Sequence, residues 1–199
     1  PGQVRYRGSA HTIHRVVRLL GFRGLRIPHG MPIDSSVISP KDVFAGYLML
    51  DAWIGNQDRH HENWGVIITP TGEVFLAPTF DHASSLGRNE TDANRAKRLA
   101  TRDVGFGLER YVERAQTPLY ESETSPTPLT TLGAFLGAAR FSPKASKVWL
   151  DRMMAIPDTE IVSIFERIPR TLISDVAIEF AIKMLQLNRA RLAKAGVSL

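Results

Sequence analysis

The sequence predicts a mainly α-helical domain with one small β-hairpin. The second half of the chain carries apolar residues at helical spacing, in segments that begin with Pro, Ser or Asp. A segment that begins at Ser39 and Pro40 is apolar almost all round, which indicates a buried central helix. Two short β-branched runs flank a Pro/Gly turn at residues 69–73, which is typical of a β-hairpin.

Two helices are predicted before the hairpin. The first runs from about Ser9, which can cap it, to Leu20. Residues 21–39 are rich in Gly and Pro and indicate a loop. The second helix uses Ser39 as its cap, with Pro40 at the first helical position. A Gly-Asn pair is expected to end this second helix before a polar loop.

The centre of the chain is predicted to hold the hairpin. The polar segment 56–63 leads into its two strands, 64–68 and 74–77. An irregular segment, 78–89, follows the hairpin, and the charged residues 90–103 are compatible with a helix.

The rest of the chain is predicted as helices after a Pro-rich loop at residues 115–128. The sequence Gly105-Phe106-Gly107 is too short for a nucleotide-binding loop and indicates a turn. Ser174 is a good cap for the last helix of four, which are predicted at residues 129–140, 143–155, 158–167 and 174–194. No linker divides residues 1–199, so we expect one unit with a catalytic core at about 40–90 and a helical remainder at 91–199.

The composition excludes several classes of protein. The absence of cysteine excludes a disulfide framework, a zinc finger and a thiol nucleophile, and it suits a reducing, cytoplasmic location. No apolar run reaches about 18 residues, so no membrane span is expected. The net charge of +5 comes from scattered arginines and not from a basic run. We therefore expect no direct binding of nucleic acid.

The polar residues around the hairpin have the order that phosphoryl transfer requires. In protein kinases an Asp orients the acceptor hydroxyl, and an Asn five residues later and an Asp beyond a hairpin hold Mg²⁺ against the nucleotide phosphates. Here Asp58 and Asn63 are five residues apart (63 − 58 = 5), and Asp81 follows the hairpin. Polar residues at the ends of rigid elements can be positioned accurately, as such a site needs.

These segments resemble HipA-like kinases. Residues 56–63 are similar to the catalytic loop of that family, and residues 76–81 are similar to its metal-binding segment. The resemblance implies a protein-kinase-like C-terminal lobe that uses ATP and Mg²⁺, with Asp58 as the catalytic aspartate and Asn63 and Asp81 as the metal ligands. We group His60 with Asn63 and Asp81 as cofactor-binding residues.

The resemblance also implies partners. The family precedent for the acceptor is a Ser or Thr hydroxyl of a protein, and bacterial members are often toxins paired with a DNA-binding antitoxin. Residues 1–50 contain no Gly-rich strand–loop–strand and no Val-Ala-x-Lys strand of the kind that covers ATP in kinases. We therefore expect the N-terminal lobe to be absent from this sequence, and to belong either to a longer protein or to a separate chain.

Three other functions stay open. Asp58-Arg59-His60 also resembles phosphoinositide kinases, so a lipid acceptor is an alternative. The expected lack of an N-terminal lobe favours a non-catalytic, kinase-like binding module. The histidines could instead ligate a metal together with Asp58 and Asp81, as in a metal-dependent phosphohydrolase: His60, His61 and His82.

Several neighbouring residues have a simpler structural interpretation. Arg59 could bridge a phosphate, but a carboxylate partner is commoner. Trp53 and Trp64 are predicted as core aromatics. Ser84 and Ser85 follow Asp81 at a place where a phosphorylation site could lie, although an exposed loop Ser is the default.

Overall fold

The computed structural model describes residues 8–32 and 35–197. A short 3₁₀ turn, Gly8–Ala10, precedes the regular elements. None of the helices among these residues has both the length and the apolar character that a membrane crossing needs. In chain order the elements are α1 (Ile13–Leu20), β1 (Leu25–Arg26), α2 (Pro40–Ile54), β2 (Val66–Ile68), β3 (Val74–Leu76), α3 (Asp92–Ala100), α4 (Leu108–Arg114), α5 (Thr131–Ala139), α6 (Pro143–Met154), α7 (Asp158–Glu166) and α8 (Asp175–Gly196).

The central helix is α2, as predicted. Ser39 accepts a hydrogen bond from the Asp42 amide, and the Asp42 side chain accepts one from the Ser39 amide, which completes a capping box. The helix ends at Gly55, which has a left-handed φ of 63° that glycine adopts without strain. Because α2 is apolar on nearly all sides, it can pack against α5, α6 and α8 at once.

The first helix starts later than predicted. Its cap is Thr12, whose hydroxyl accepts a hydrogen bond from the Arg15 amide, whereas Ser9 lies in the preceding 3₁₀ turn. The prediction of Ser9 as cap was therefore wrong. The physical reason is a distant contact: Thr12 is extended and forms a bridge with Tyr120, whose carbonyl accepts the Ile13 amide, so the helix begins only at Ile13. The predicted end at Leu20 is confirmed.

The predicted hairpin is present and gains a third strand. Strands β2 and β3 pair antiparallel, with Ile67 opposite Phe75. Strand β1 pairs parallel with β3, in the order β1-β3-β2, although the sequence indicated only a loop at residues 21–39. A two-residue strand has no periodicity to detect, and its pairing to Val74 and Phe75 is a long-range event.

The second half is helical as predicted. Helices α5 to α8 lie within a few residues of the four predicted segments, and Ser174 caps α8. Residues 90–103 contain α3, and the turn at 105–107 is confirmed, but α4 was not predicted. Phe180 and Met184 of α8 form a second apolar cluster with α4.

The two tryptophans beside the polar loop pack as the sequence predicted. Trp53 is buried and donates its indole N–H to the Leu185 carbonyl at 3.2 Å. Trp64 is half-buried and packs edge-on against Phe44, with ring centroids 5.2 Å apart.

Candidate active site

The loop between α2 and β2 is organised around one buried guanidinium. The Arg59 side chain is 0% exposed, and its Nε and Nη2 donate to the two carboxylate oxygens of Asp51 at 2.7 and 2.8 Å. Such two-point pairing is the geometry that Arg offers and Lys does not. Of the two interpretations of Arg59, the carboxylate pair is confirmed, and the residue is not exposed to bridge a phosphate.

The same guanidinium joins the loop to the segment after the hairpin. Its Nη1 donates to the main-chain oxygen of Asn63 and contacts that of Phe80 at 3.4 Å. Its Nη2 donates to the Thr79 hydroxyl at 2.9 Å. Because one nitrogen reaches the carbonyls of both Asn63 and Phe80, the main chains at Asn63 and Asp81 lie side by side, although 18 residues separate them (81 − 63 = 18).

Asn63 is buried and its amide is oriented by the loop itself. The side-chain Nδ2 donates to the Asp58 carbonyl at 2.7 Å, and the Asn63 main-chain N–H donates to the His60 carbonyl at 3.1 Å. Because the Asp58 carbonyl can only accept a hydrogen bond, the NH₂ group of the Asn63 side chain faces it, and the Asn63 Oδ1 atom is directed toward other partners. An amide oxygen is a suitable ligand for a hard cation.

Asp58 lies at the accessible side of the same loop. Its side chain is 39% exposed, and its main-chain N–H is 3.3 Å from Oδ1 of the buried Asn56. His60 Nε2 is 3.6 Å from Asp58 Oδ1. His60 Nδ1 accepts a hydrogen bond from the Glu62 amide at 3.1 Å, which places the proton of the neutral ring on Nε2, facing Asp58.

Asp81 follows β3 in a strained backbone conformation. Its φ is 52°, in the left-handed region, which Asp and Asn adopt more readily than other non-glycine residues. The residue is exposed, while neighbouring Thr79 and His82 are bonded to each other at 2.8 Å. The segment is thus held on both sides of Asp81, by Arg59 through Phe80 and by the Thr79–His82 contact.

The donor set suits Mg²⁺ better than a transition metal. Mg²⁺ takes oxygen ligands and is usually held by one or two protein groups together with substrate phosphates and water. The Asn63 amide oxygen and the Asp81 carboxylate are two such groups on adjoining segments. Over residues 8–32 and 35–197, no three or more His, Asp or Glu side chains are grouped to hold a metal. His82 Nε2 is instead engaged by Thr79 and lies 3.3 Å from Arg59 Nη2.

Two buried groups that hold the site were not predicted from the sequence. Asp51 is the acidic partner of Arg59. Its signal was a carboxylate beyond the first turn of α2, in the apolar part of the helix, since a buried charge requires a partner. His11 donates from Nδ1 to the Pro118 carbonyl at 2.8 Å and accepts from the Trp64 indole at 3.1 Å. Burial lowers the pKa of His11, so the neutral ring anchors the end of the loop at Trp64.

Comparison with known proteins finds similarity to a solved structure. No protein-family model matches the chain, and no curated protein sequence matches it. A solved structure of CtkA, a proinflammatory kinase of Helicobacter pylori, is similar over 78% of the chain, with 25% sequence identity and a TM-score of 0.59. The match covers 54% of the CtkA chain, so the present chain spans about half the length of that protein. The mainly helical domain with its small sheet therefore has a kinase-like fold.

Proposed function

We propose that this kinase-like chain is the catalytic lobe of an ATP- and Mg²⁺-dependent phosphotransferase, specifically a Ser/Thr protein kinase of the HipA-like type. The observation that carries the proposal is the Arg59 guanidinium, which ties the main chain at Asn63 to the segment that bears Asp81. The similarity to a kinase, CtkA, supports phosphoryl transfer as the class of reaction.

Each proposed residue has a distinct role. Asp58 orients the acceptor hydroxyl and accepts its proton, which its partly exposed side chain allows. Asn63 and Asp81 are the oxygen ligands that hold Mg²⁺. When bound, the cation neutralises charge on the nucleotide phosphates. The hydrogen bond from Asn63 Nδ2 to the Asp58 carbonyl keeps the acceptor-binding and metal-binding residues at a constant spacing.

His60 belongs to the same proposed site as a neighbour of Asp58. With its Nε2 3.6 Å from the Asp58 carboxylate, it can position that carboxylate and border the bound nucleotide. This role is compatible with its half-buried place in the loop.

The proposal includes a second lobe that completes the ATP cleft. The chain spans about half of CtkA, which leaves room in a kinase of that size for a further lobe. We propose that this lobe belongs either to the same protein or to a separate partner chain, and that the enzyme acts in the cytoplasm. A DNA-binding antitoxin is the further partner that the HipA-like resemblance implies.

The test is transfer of the ATP γ-phosphate by the natural protein that contains this chain. With Mg²⁺, labelled ATP and a generic protein acceptor, Asp58→Asn should reduce transfer by about 10²-fold or more, because the acceptor proton loses its carboxylate. Asp151→Asn, an exposed carboxylate on α6, is the matched control and should retain transfer. Transfer at the wild-type rate in Asp58→Asn would refute the proposal.

A second candidate is a kinase-like module that binds a partner without catalysis. It is favoured by residues 1–50, which contain neither a Gly-rich strand–loop–strand nor a Val-Ala-x-Lys strand. Calorimetric titration of Mg²⁺-ATP into the natural protein and its genomic neighbours separates the two functions. Nucleotide binding in some combination supports the enzyme, and its absence in all of them supports the module.

A further inference from the structure

A small basic cavity lies beside the proposed catalytic loop. It has a volume of about 210 Å³ and is reached from one side by Gln57, the residue before Asp58. Asp58 itself does not line the cavity, but consecutive Cα atoms are about 3.8 Å apart, so the main chain at Asp58 lies next to a residue of the cavity wall. Its lining is otherwise formed by α4 and the segment before it: Arg98, Gly105, Arg110, Tyr111, Arg114 and Ala115.

Three of the seven residues that line the cavity are arginines and none is acidic, although Arg98 and Arg110 each have a carboxylate partner outside the lining. Arg98 is held in place by an ion pair to Glu90 at 3.2 Å and by stacking on Tyr111, with 4.9 Å from its Cζ to the ring centroid. Arg110 pairs with Glu113 at 3.1 Å on the surface. Arg114 is exposed and, within residues 8–32 and 35–197, has no carboxylate partner.

The wall nearest the catalytic loop is held by a main-chain hydrogen bond. The Gln57 amide donates to the Ser84 carbonyl at 3.1 Å, and the Gln57 side chain lies close to the Tyr111 hydroxyl. Burial raises the pKa of Tyr111, which keeps the phenol neutral beside the arginines. A ligand in the cavity therefore meets cationic and neutral hydrogen-bonding groups.

We propose that this cavity receives a carboxylate side chain of the acceptor polypeptide, so that the enzyme prefers a Ser or Thr with a nearby Glu or Asp. The inference rests on the proposed kinase function, because it places the acceptor hydroxyl at Asp58. An extended peptide advances about 3.3–3.6 Å per residue. A carboxylate one to three residues from the acceptor Ser or Thr can therefore reach the cavity beside Gln57. Arginine is suited to this task because its planar guanidinium matches a carboxylate.

Two peptides and two variants test the inference. The peptides carry one Ser flanked either by Glu or, at the same positions, by Gln. Their affinities for the 199-residue chain are measured by fluorescence anisotropy, and kcat/KM for each is measured with the natural protein. Arg114→Gln removes the cavity arginine that has no carboxylate partner among the described residues. Arg102→Gln is the matched control, because Arg102 is exposed and outside the cavity.

The wild-type protein should prefer the Glu peptide by about fivefold or more, and added salt should reduce that preference. Arg114→Gln should lose most of the preference, while Arg102→Gln should keep it. Equal binding of the two peptides by the wild-type chain would overturn the inference, as would an equal loss in the Arg102 variant. The Glu preference in binding without any phosphoryl transfer would support the cavity and count against the proposed kinase function alone.

Discussion

Arg59 and Asp51 form a two-point ion pair whose side chains are 0% and 1% exposed. The pair joins the last turns of α2 to the loop that carries Asp58 and Asn63. Taking two charges out of water is costly, and this cost is offset only when the remaining hydrogen-bonding groups are also satisfied. The remaining donor capacity of Arg59 meets that condition, because Nη1 contacts the carbonyls of Asn63 and Phe80 and Nη2 also donates to the Thr79 hydroxyl. The pair therefore links the stability of the fold to the geometry of the candidate active site.

Replacing Arg59 should destabilise the protein strongly. In Arg59→Lys the two-point contact to Asp51 and the bonds to the segment at Thr79 are lost. The buried Asp51 carboxylate is then left with a lysine, which cannot pair with both of its oxygens. We expect the free energy of unfolding to fall by about 3 kcal/mol or more, measured by urea denaturation.

The matched control for that change is Arg140→Lys. Arg140 pairs with Glu121 at 3.1 Å, but the two side chains are 68% and 53% exposed. Solvent screens such a pair, so the unfolding free energy should change by less than about 1 kcal/mol. Equal losses in the two variants would contradict the role assigned to the buried pair.

Stability should fall as the pH drops below the ordinary pKa of histidine. Burial lowers the pKa of His11, since desolvation disfavours the charged ring, and the neutral ring accepts the Trp64 indole hydrogen bond at Nε2. The unfolded chain then binds more protons than the folded one, so the stabilisation is complete above about pH 6.5 and is lost as the pH falls from there. The slope contributed by one such group is at most about 1.4 kcal/mol per pH unit. Urea denaturation between pH 8 and pH 5 measures it.

His11→Gln is the variant that separates this contribution. Burial also lowers the pKa of His82, so a slope of the same sign from His82 should persist in the variant. The slope should nevertheless be shallower than in the wild type. An unchanged slope would show that His11 does not carry the predicted proton linkage.

Gly87 should resist substitution more than Gly72. Both have left-handed φ values, 69° and 81°, so alanine is strained at either place. A Cβ at Gly87 would also overlap the ring of Phe180, whereas one at Gly72 meets no atom within 4 Å. We expect losses in unfolding free energy of about 2–4 kcal/mol for Gly87→Ala and about 1 kcal/mol for Gly72→Ala. Thermal and urea denaturation test the difference, and similar losses would contradict the packing of Phe180 described above.

The proposed metal-binding role of the Asp81 carboxylate can be separated from the effect of the left-handed backbone conformation at this residue. Asn tolerates the left-handed conformation at φ 52°, so Asp81→Asn should retain the wild-type stability, whereas Asp81→Ala should lose about 1 kcal/mol. Loss of the carboxylate should raise the Mg²⁺ concentration needed for half-maximal transfer by about tenfold or more in both variants. Asp151→Asn serves again as the control. An unchanged Mg²⁺ requirement in Asp81→Asn would refute the assignment of Asp81 as a ligand.

The sequence alone determined the elements whose signals are local. The Ser39 cap, Pro40 and the apolar run after them specify α2, and the turn residues between two β-branched runs specify the β2–β3 hairpin. Caps, turns and apolar periodicity act over a few residues, so they can be detected without knowledge of the fold. The spacing of Asp58, Asn63 and Asp81 along these elements suggested the candidate site for the same reason.

The tertiary structure decided the contacts that hold this site together. The pairing of β1 with β3, the hydrogen bond from Ile13 to Tyr120 at the start of α1 and the hydrogen bond from Trp64 to His11 all join segments that are distant in the chain. Arg59 could be read from the sequence as a residue in need of a partner, but the choice of Asp51, Asn63 and Phe80 required the packed loop. In the folded chain these polar groups are buried and cannot bond to water, so each one requires a partner within the protein. The need for a specific partner therefore arises only when the chain folds.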